Sequence, residues 1–314
     1  MAEDMNTTQR ITSYKDLSER SPYGEYLKEI MNFYVPLALQ LPTRRKDSTF
    51  MAEEVKAEGR GGVTDIATKA DKVMQDDIKM SISKLGHNWG LWEEEGEDRI
   101  TEIDKTKTHT IVTDPIEGTN NFKHNLNDQW GSVIALVDNK TEKPIIGIVA
   151  HPTQRRFYVG VKDSGAYILE YHDKGELILF QVMNAEPNKS EFTYNASPHF
   201  SEDLYAQVDR FLQMGKVIKT DEKLGRSRIG IPDEKGEVFD DLESGALEVV
   251  RYKGTMYFKT SAEMAAVFVI LNEIGGKVTD AFGEPWSINI NTLIAARNEH
   301  DYQYLKNLYD KTTK

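Results

Sequence analysis

Two segments in the first third of the chain carry apolar residues at helical spacing. Residues 22–42 place Tyr, Leu, Ile and Met along one helix face, and Pro36 interrupts the pattern near its end. After a glycine-rich turn at 59–62, apolar residues recur every three to five positions, following Asp71 and continuing to Gly86. The second pattern predicts an amphipathic helix with Asp71 at its N-terminus. We expect both helices to pack against a core.

The middle of the chain alternates short β-rich runs with turn residues. A strand with the sequence THTIVT leads into Asp114, and four apolar runs follow it: GSVIALV, PIIGIVAHP, RRFYVGV and GAYIL. The segments DNKTEKP, PTQR and KDSG separate these runs and are rich in turn formers. The pattern predicts an antiparallel meander in the first half of the chain.

The pattern changes after a polar segment at 181–190, which we interpret as a linker. The strand FTYNAS, the helical segment SEDLYAQVDRFLQM and the strand KVIKT then follow one another, which is typical of an α/β domain. Residues 221–247 have no clear period and are expected to be mostly loop. A last apolar helix is predicted over 261–274, with Ser261 as its cap and Gly275 at its C-terminal end.

The length of the chain, 314 residues, suits two domains of about 150 residues each. We place an α+β domain with the antiparallel sheet and the candidate site at residues 1–184, and an α/β domain at residues 185–314. The N-terminus is polar and acidic, and no apolar run reaches the roughly 18 residues of a membrane span. We therefore expect a cytoplasmic protein that is not associated with a membrane.

Charge and cysteine content exclude several classes of function. The chain has 51 acidic and 39 basic residues, and its formal charge of -12 disfavours a nucleic-acid polymer or an anionic membrane surface as partner. It has no cysteine, which excludes disulfides, thiolate metal sites and a cysteine nucleophile. Any bound metal must therefore be held by oxygen or imidazole.

The densest group of polar residues is the segment DPIEGTNNF at 114–122. Its candidate groups are two carboxylates, one carbonyl and two backbone amides, from Asp114, Glu117, Ile116, Gly118 and Thr119. The carboxylates are three residues apart and joined by a proline-stiffened turn, so they can converge on one hard cation together with the carbonyl. The amides can accept a phosphate, which the glycine allows to approach closely. The alternative is a surface turn whose Asp and Asn side chains cap backbone groups.

Other acidic residues, each taken alone, fit a structural interpretation better than a catalytic one. Asp71 before an amphipathic helix is typical of an N-cap, and Glu93–Glu95 of a solvated acidic run. Glu263, near the start of the late helix, can complement the helix dipole. The seven His residues include no pair at metal-binding spacing, so we interpret them as structural or surface residues.

The order and spacing of these elements resemble the inositol monophosphatase-like family. This family comprises lithium-sensitive, magnesium-dependent phosphatases of sugar phosphates and nucleotides, and it shares a fold with fructose-1,6-bisphosphatase. The resemblance extends from about Thr64 to Gly283 and rests on TDIATKAD, LWEEEG, DPIEGTNNF, the meander and AEMAAVFVILNEIGGKVTDAFG. DPIEGTNNF matches the family signature Asp-Pro-Ile-Asp-Gly-Thr-x-Asn-Phe at every fixed position except one. The implied fold is α+β, with αβαβα layers.

The resemblance also implies roles for individual residues. Metal ligands would come from Glu94, Asp114, the Ile116 carbonyl, Glu117 and Glu263. Glu94 shares its metal with the water that attacks phosphorus, although Glu93 or Glu95 could take this position. Asp71 and Thr119 would orient that water, which makes Asp71, Glu94 and Thr119 the catalytic set. The amides of Gly118 and Thr119 would hold the phosphate.

The implied function is a magnesium-dependent phosphomonoesterase acting on a small phosphorylated sugar, polyol or nucleotide through metal-activated water. Two or three Mg2+ ions would take part, with Mn2+ as an alternative. Glu117 and Glu263 stand where the family has Asp, Ala262 replaces a Trp, and we find no counterpart of the family's substrate-binding helix within 224–254. The alternative function is therefore a catalytically altered member that binds a phosphorylated metabolite without hydrolysing it. Substrate identity and oligomeric state are left open, a homodimer being one alternative.

Overall fold

The structure is a computed structural model of the whole chain. It describes residues 11–58, 64–93, 102–124, 130–184, 186, 192–196, 219–221, 226–231, 254–258, 264–289 and 292–312.

The described residues form both α-helices and β-strands, as the prediction of an α+β protein requires. The helices are α1 Tyr14–Arg20, α2 Gly24–Arg44, α3 Lys69–Leu85, α4 Thr119–His124, α5 Ala265–Glu273 and α6 Glu299–Thr312. The strands are β1 Glu53–Glu58, β2 Thr64–Thr68, β3 Trp89–Glu93, β4 His109–Glu117, β5 Gly131–Asp138, β6 Lys143–His151, β7 Arg156–Val161, β8 Gly165–Tyr171, β9 Leu177–Val182, β10 Phe192–Ala196, β11 Lys219–Asp221, β12 Arg226–Ile231, β13 Gly254–Phe258, β14 Lys277–Thr279 and β15 Leu293–Ala296.

These strands pair into three sheets. The largest has seven strands in the order β3-β4-β5-β6-β7-β8-β9, where only β3 and β4 are parallel. The predicted antiparallel meander is therefore confirmed and extends by one further strand, β9. A second sheet has the order β11-β12-β10-β13-β15-β14, with β10 and β13 parallel. Strands β1 and β2 form a separate antiparallel pair.

Helices and sheets alternate in layers, as the α+β prediction requires. One core cluster lies between helices α1, α2 and α3 and one face of the seven-stranded sheet. A second cluster joins the other face of that sheet to α5 and to Leu293 and Ala295 of β15. Helix α6 packs against β13, β14 and β15. The predicted five-layer arrangement of helices, sheet, helix, sheet and helix is thus confirmed.

Helix α5 lies directly against the backbone of strand β6. A Cβ atom at Gly147 would be 2.2 Å from the carbonyl oxygen of Ala266, a distance that no packed structure tolerates. Only glycine permits this approach, so Gly147 fixes how closely the helix follows the sheet. None of the described helices has the length and apolar character needed to cross a bilayer.

Several predicted boundaries differ from the structure. Helix α2 does not end at Pro36 but continues to Arg44, with Pro42 also inside it. Burial of its apolar face in the core stabilises the helix by more than the loss of hydrogen bonds at the two prolines destabilises it. Strand β4 does not stop before Asp114 but continues to Glu117. The loop expected at 221–247 contains strand β12, since hydrogen bonding to β10 and β11 stabilises this segment.

Other predictions fall partly or wholly outside the described residues. This applies to the helix expected at 201–214, to Ser261 and to the start of the late helix before Met264. The first residues of the predicted linker at 181–190 belong to β9, and the domain boundary at 184/185 stays a prediction. Gly275 follows α5 with a positive φ of 80°, as expected for a C-terminal glycine.

Candidate active site

Strand β4 contains a β-bulge in the middle of the predicted motif. Asp114 pairs with Val133 of β5 and Glu117 pairs with Gly131, so three steps along β4 oppose two steps along β5. The extra residue lies at the Pro115–Ile116 step. A bulge is one of the few places in a sheet that accept proline, because proline has no N–H to donate to the ladder.

The bulge changes which side chains share a face. In a regular strand, residues three apart lie on opposite faces. Here Asp114 and Glu117 pair with residues two apart on β5, so they lie on the same face, roughly 7 Å apart along the strand. Ile116 accordingly joins the core cluster on the α2 side, whereas Val112 joins the cluster on the α5 side. The exposed fractions of the two acids are 1% and 0%, so two carboxylates are buried on one side of the sheet.

Short-range hydrogen bonds fix the turn that follows the bulge. A carboxylate oxygen of Asp114 accepts from the Ile116 N–H at 3.1 Å, and the Thr119 hydroxyl donates to the Ile116 carbonyl at 3.0 Å. Gly118 has a φ of 86°, which side chains disfavour, and its carbonyl accepts from the Phe122 N–H at 3.0 Å. The Ile116 carbonyl retains a second lone pair, because a carbonyl oxygen has two.

The aromatic ring at the end of the motif anchors helix α4. Phe122 meets Trp130 edge to face with the ring centroids 4.8 Å apart, and both residues are fully buried. Such a pair adds about 0.5–1.5 kcal/mol beyond the area that it buries. The short helix, and with it Thr119 at its start, is therefore held by the core.

Asp71 lies in the first turn of α3 rather than at its N-cap. One of its carboxylate oxygens accepts from the backbone N–H and the hydroxyl of Thr68, both at 2.7 Å. Thr68 is the N-cap and Asp71 is the third helical residue, so the two form a capping box. The prediction that Asp71 itself is the cap is wrong by three residues, although a capping contribution is present. Its catalytic role stays a prediction.

Two element contacts bring this helix start near the motif. Helix α3 contacts β4, and α4 contacts β2, the strand that leads directly into α3. Strand β3 runs parallel to β4, and its last residue, Glu93, pairs with Thr113, the neighbour of Asp114. The acidic run thus begins at the same end of the sheet as the motif. Glu94, Glu95 and Glu263 lie outside the described residues, and within the described part of the chain no three acidic or His residues form a metal-binding group.

The structure adds residues that our sequence interpretation missed. The Tyr34 hydroxyl of α2 donates to the Ser132 hydroxyl at 2.8 Å, and both groups are buried. Ser132 lies opposite the bulge, between the residues that pair with Asp114 and Glu117. Burial raises the pKa of Tyr34 well above its ordinary value; the hydrogen bond with Ser132 lowers the pKa by less, and the charge of Asp114 raises it, so the phenol remains a protonated donor. No local sequence signal links residues so far apart, whereas Thr68 could have been found from the Thr-x-x-Asp pattern of a capping box.

Comparison with known proteins identifies what this arrangement is similar to. The model of the family described as "Inositol monophosphatase family" matches residues 28–313. "Inositol monophosphatase 3" of Solanum lycopersicum is 22% identical over 244 residues, which cover 76% of this chain and 82% of that protein. "Fructose-1,6-bisphosphatase" of Pyrococcus furiosus is 24% identical over 221 residues, which cover 70% of this chain and 72% of that protein.

Solved structures share the fold. The extragenic suppressor protein suhB of Bartonella henselae superposes with a TM-score of 0.64 at 19% identity, covering 90% of this chain and 98% of that one. An inositol monophosphatase from Zymomonas mobilis superposes with a TM-score of 0.58 at 19% identity, covering 93% of this chain and all (100%) of that one. At this level of identity the likeness extends to the fold alone.

Proposed function

The chain belongs to the inositol monophosphatase family and is a phosphatase, and we propose that it is a magnesium-dependent phosphomonoesterase acting on a small phosphorylated sugar, polyol or nucleotide. One observation carries the proposal. The β-bulge places Asp114 and Glu117 on the same buried face, next to a turn that contains the Ile116 carbonyl. Three oxygen groups from four consecutive residues then lie at one end of the sheet.

The chemistry of these groups suits a hard divalent cation. Two buried carboxylates on one face repel each other, and a cation between them removes this repulsion. Mg2+ prefers oxygen ligands, and the described part of the motif offers only oxygen. We propose that Asp114, Glu117, the Ile116 carbonyl, Glu94 and Glu263 hold two or three Mg2+ ions, with Mn2+ as an alternative. When bound, such ions lower the pKa of a water ligand and stabilise charge on the phosphoryl oxygens.

The strand pairing brings the start of the acidic run next to the motif. Trp92 pairs with Val112, and both side chains belong to the core cluster on the α5 side. Side chains alternate along a strand, so Asp114 shares the face of Val112, two residues earlier. We keep Glu94 as the proposed ligand, with Glu93 or Glu95 as alternatives.

The remaining groups of the motif would handle the water and the phosphate. The Thr119 hydroxyl uses its hydrogen toward the Ile116 carbonyl, so its oxygen is available as an acceptor for a hydrogen of the attacking water. The Asp71 carboxylate, positioned by Thr68, is proposed to orient the same water. The amides of Gly118 and Thr119 are proposed to receive the phosphate, because the absence of a side chain at Gly118 lets an anion approach the backbone.

The proposal is tested by phosphate release from a panel of phosphate esters. The purified full chain is first treated with EDTA and then assayed without metal, with Mg2+ and with Mn2+. We expect hydrolysis of at least one sugar phosphate, polyol phosphate or nucleotide, only when metal is added. The same panel on Asp114→Asn is the control. If no ester is hydrolysed with either metal, the proposed activity is wrong.

A second candidate is a protein that binds a phosphorylated metabolite without hydrolysing it. It is favoured by Glu117 and Glu263, which are each about one bond, roughly 1.5 Å, longer than the family's Asp. Mg2+ tolerates little departure from oxygen distances near 2.1 Å. Assays of the wild type, Glu117→Asp, Glu263→Asp and the double variant separate the two functions. We expect an active wild type and an impaired Glu117→Asp, whereas activity in the double variant alone would establish the binding-only protein.

A further inference from the structure

A cavity of about 640 Å³ lies between the C-terminal part of α2, the turn at 152–154 and the end of β8. Two of its lining residues, Leu39 and Tyr171, pack against the core cluster on the α2 side of the seven-stranded sheet. Asp114 and Glu117 occupy the opposite face, the face covered by α5. The cavity is therefore separate from the candidate active site.

Positive charge is concentrated at this cavity, although the chain as a whole has a charge of -12. Arg45, Lys46 and Arg155 all line it. Arg155 pairs with Asp173 at 2.7 Å, but the side chain of Asp173 is 95% exposed, so water weakens this pair. Among the described residues, neither Arg45 nor Lys46 has a carboxylate within salt-bridge distance. A negatively charged ligand would meet little competition from the protein's own acids.

The cavity wall also contains buried donors without acceptors. Within the described part of the chain, Nη1 of Arg45, Oγ1 of Thr153 and Nε of Arg155 have no hydrogen-bond partner and almost no contact with solvent. A buried donor that makes no hydrogen bond destabilises a protein, so side-chain rotations that bring these donors to the cavity are favoured when a ligand there supplies acceptors. Guanidinium groups match the oxygens of phosphate through paired, charge-assisted hydrogen bonds.

The ring of Tyr171 positions the Arg155 side chain at the cavity wall. Arg155 has φ 55° and ψ 30°, the left-handed conformation in which glycine or asparagine would be relaxed. Its guanidinium carbon lies 5.3 Å from the centroid of the Tyr171 ring, which holds the group at the cavity wall. Glu142 and Asp163 have a similar left-handed φ in the neighbouring hairpin turns, so this conformation belongs to the turn, and the ring contact is what positions the Arg155 side chain.

We propose that this cavity is a second ligand site that binds a small organic phosphate. Arg45, Lys46 and Arg155 would hold the phosphate, and the apolar part of the ligand would lie on Leu39 and Tyr171. The volume is in the range of sites for small metabolites. Three cationic groups favour a dianionic phosphate over a singly charged carboxylate. The site differs from the acidic candidate active site, where an anion is attracted only when metal is present.

Calorimetric titration of the full chain in EDTA tests the site with phenylphosphonate, a phosphate analogue that a phosphatase cannot hydrolyse. We expect saturable binding to the wild type. Arg45→Gln and Arg155→Gln should each weaken it by about tenfold or more, as expected when a hydrogen bond to a charged group is lost. Arg156→Gln is the matched control, because Arg156 is the adjacent arginine and pairs with Glu170 instead of lining the cavity. Its affinity should equal that of the wild type.

Further arms identify the ligand class and guard against misfolding. Inorganic phosphate should bind more weakly than phenylphosphonate with the same dependence on Arg45, and benzoate should bind least. Lys46→Gln, at an exposed position, provides a variant that should keep its fold while weakening binding. The proposal is overturned if phenylphosphonate does not bind, if benzoate binds more tightly, or if Arg156→Gln weakens binding as much as the cavity variants.

Discussion

At the scale of single residues, the position of Asp114 depends on its immediate neighbours. The bulge at Pro115–Ile116 sets the face on which it lies, and the Ile116 N–H donates to its carboxylate. The buried hydrogen bond from Tyr34 of α2 reaches Ser132 on the adjacent strand, directly opposite the bulge. These contacts explain how a carboxylate can be held in the core at a defined point, as the proposed metal site requires.

Replacing Asp114 by Asn should separate catalysis from folding. The amide oxygen of Asn can still accept from the Ile116 N–H, and the change relieves repulsion with Glu117, so the Tm in metal-free buffer should hardly change. The kcat should fall by about a hundredfold or more, since even outer-shell partners of metal ligands contribute 10–100-fold. Phosphate release and thermal melts measure the two effects. Asp138→Asn, at the far end of β5, is the control and should retain activity. If Asp114→Asn keeps full activity, the proposed site is wrong.

At the scale of elements, the start of α3 combines a structural and a proposed catalytic contribution in one side chain. Asp71 completes the capping box with Thr68, and the same carboxylate is proposed to orient water. Removing a capping interaction costs about 0.5–2 kcal/mol and need not affect turnover. The two contributions can therefore be distinguished by substitution.

The variants Asp71→Asn and Thr68→Val should give different results. Both weaken the cap, so each should lower the free energy of unfolding by about 0.5–2 kcal/mol in urea titrations. Only Asp71→Asn removes the charge proposed to act on water, and its kcat should fall by about 100-fold or more. If the two variants lose stability alike and keep the same kcat, Asp71 is a cap and nothing else.

Helix α5 is joined to the seven-stranded sheet by one close backbone contact and by hydrogen bonds to one side chain. Gly147 lets the helix approach β6, and the carboxylate of Glu273 at its last turn accepts from the N–H groups of Asp163, Ser164 and Gly165 at 2.9, 3.1 and 2.7 Å. The helix is thereby fixed both along its length and at its end. The proposed ligand Glu263 is two residues before the start of this helix in the sequence.

Gly147→Ala should displace α5 and weaken metal binding. The added methyl would meet backbone atoms of Ala266 at 2.2–2.7 Å, which a side-chain rotation cannot relieve. Overpacking of this kind costs about 1–3 kcal/mol, and the shift of α5 should raise the metal concentration needed for half-maximal activity. Gly90→Ala is the matched control, because its nearest contact is the Thr110 hydroxyl at 3.2 Å. If Gly147→Ala and Gly90→Ala are equally stable, the close contact between Gly147 and Ala266 does not contribute to stability.

At the scale of the whole molecule, two features concern how the halves are joined and how charge is distributed. Buried Arg297 of the second half donates to the backbone carbonyl of Asn184 at 3.0 Å, at the predicted domain boundary. Burial lowers the pKa of Arg297 to about 10, so the group remains charged at neutral pH. The net charge of -12 adds a general repulsion that any bound cation reduces.

Divalent metal should therefore stabilise the folded chain. The unfolded chain cannot assemble the proposed ligands, and metal at about one hundred times its Kd adds about 2.7 kcal/mol to the free energy of unfolding. For a chain of this size that raises the Tm by roughly 5 °C. Thermal melts with millimolar Mg2+ or Mn2+, at ionic strength matched with KCl, isolate this effect from charge screening. An unchanged Tm, or the same rise in Asp114→Asn, would contradict specific binding.

The sequence by itself determined the family, the layered fold and the motif at 114–122. The meander and helix α3 followed from periodicity, because a strand and an amphipathic helix each bury one face and must repeat accordingly. The candidate residues at 114–122 followed from their type and spacing together with the resemblance to the family signature. Sequence patterns were sufficient to predict a feature wherever the residues that form it lie within a few positions of one another.

Only the tertiary structure decided the features that depend on distant partners. The bulge that places Asp114 and Glu117 on one face appears in the pairing of β4 with β5, not in either segment alone. Helix α2 continues through Pro36 because core packing compensates for the hydrogen bond that proline removes, although proline usually interrupts or ends a helix. The cationic cavity combines residues of α2 with a turn more than one hundred positions later. Such juxtapositions follow from the close packing of layers, and that packing is a property of the whole chain.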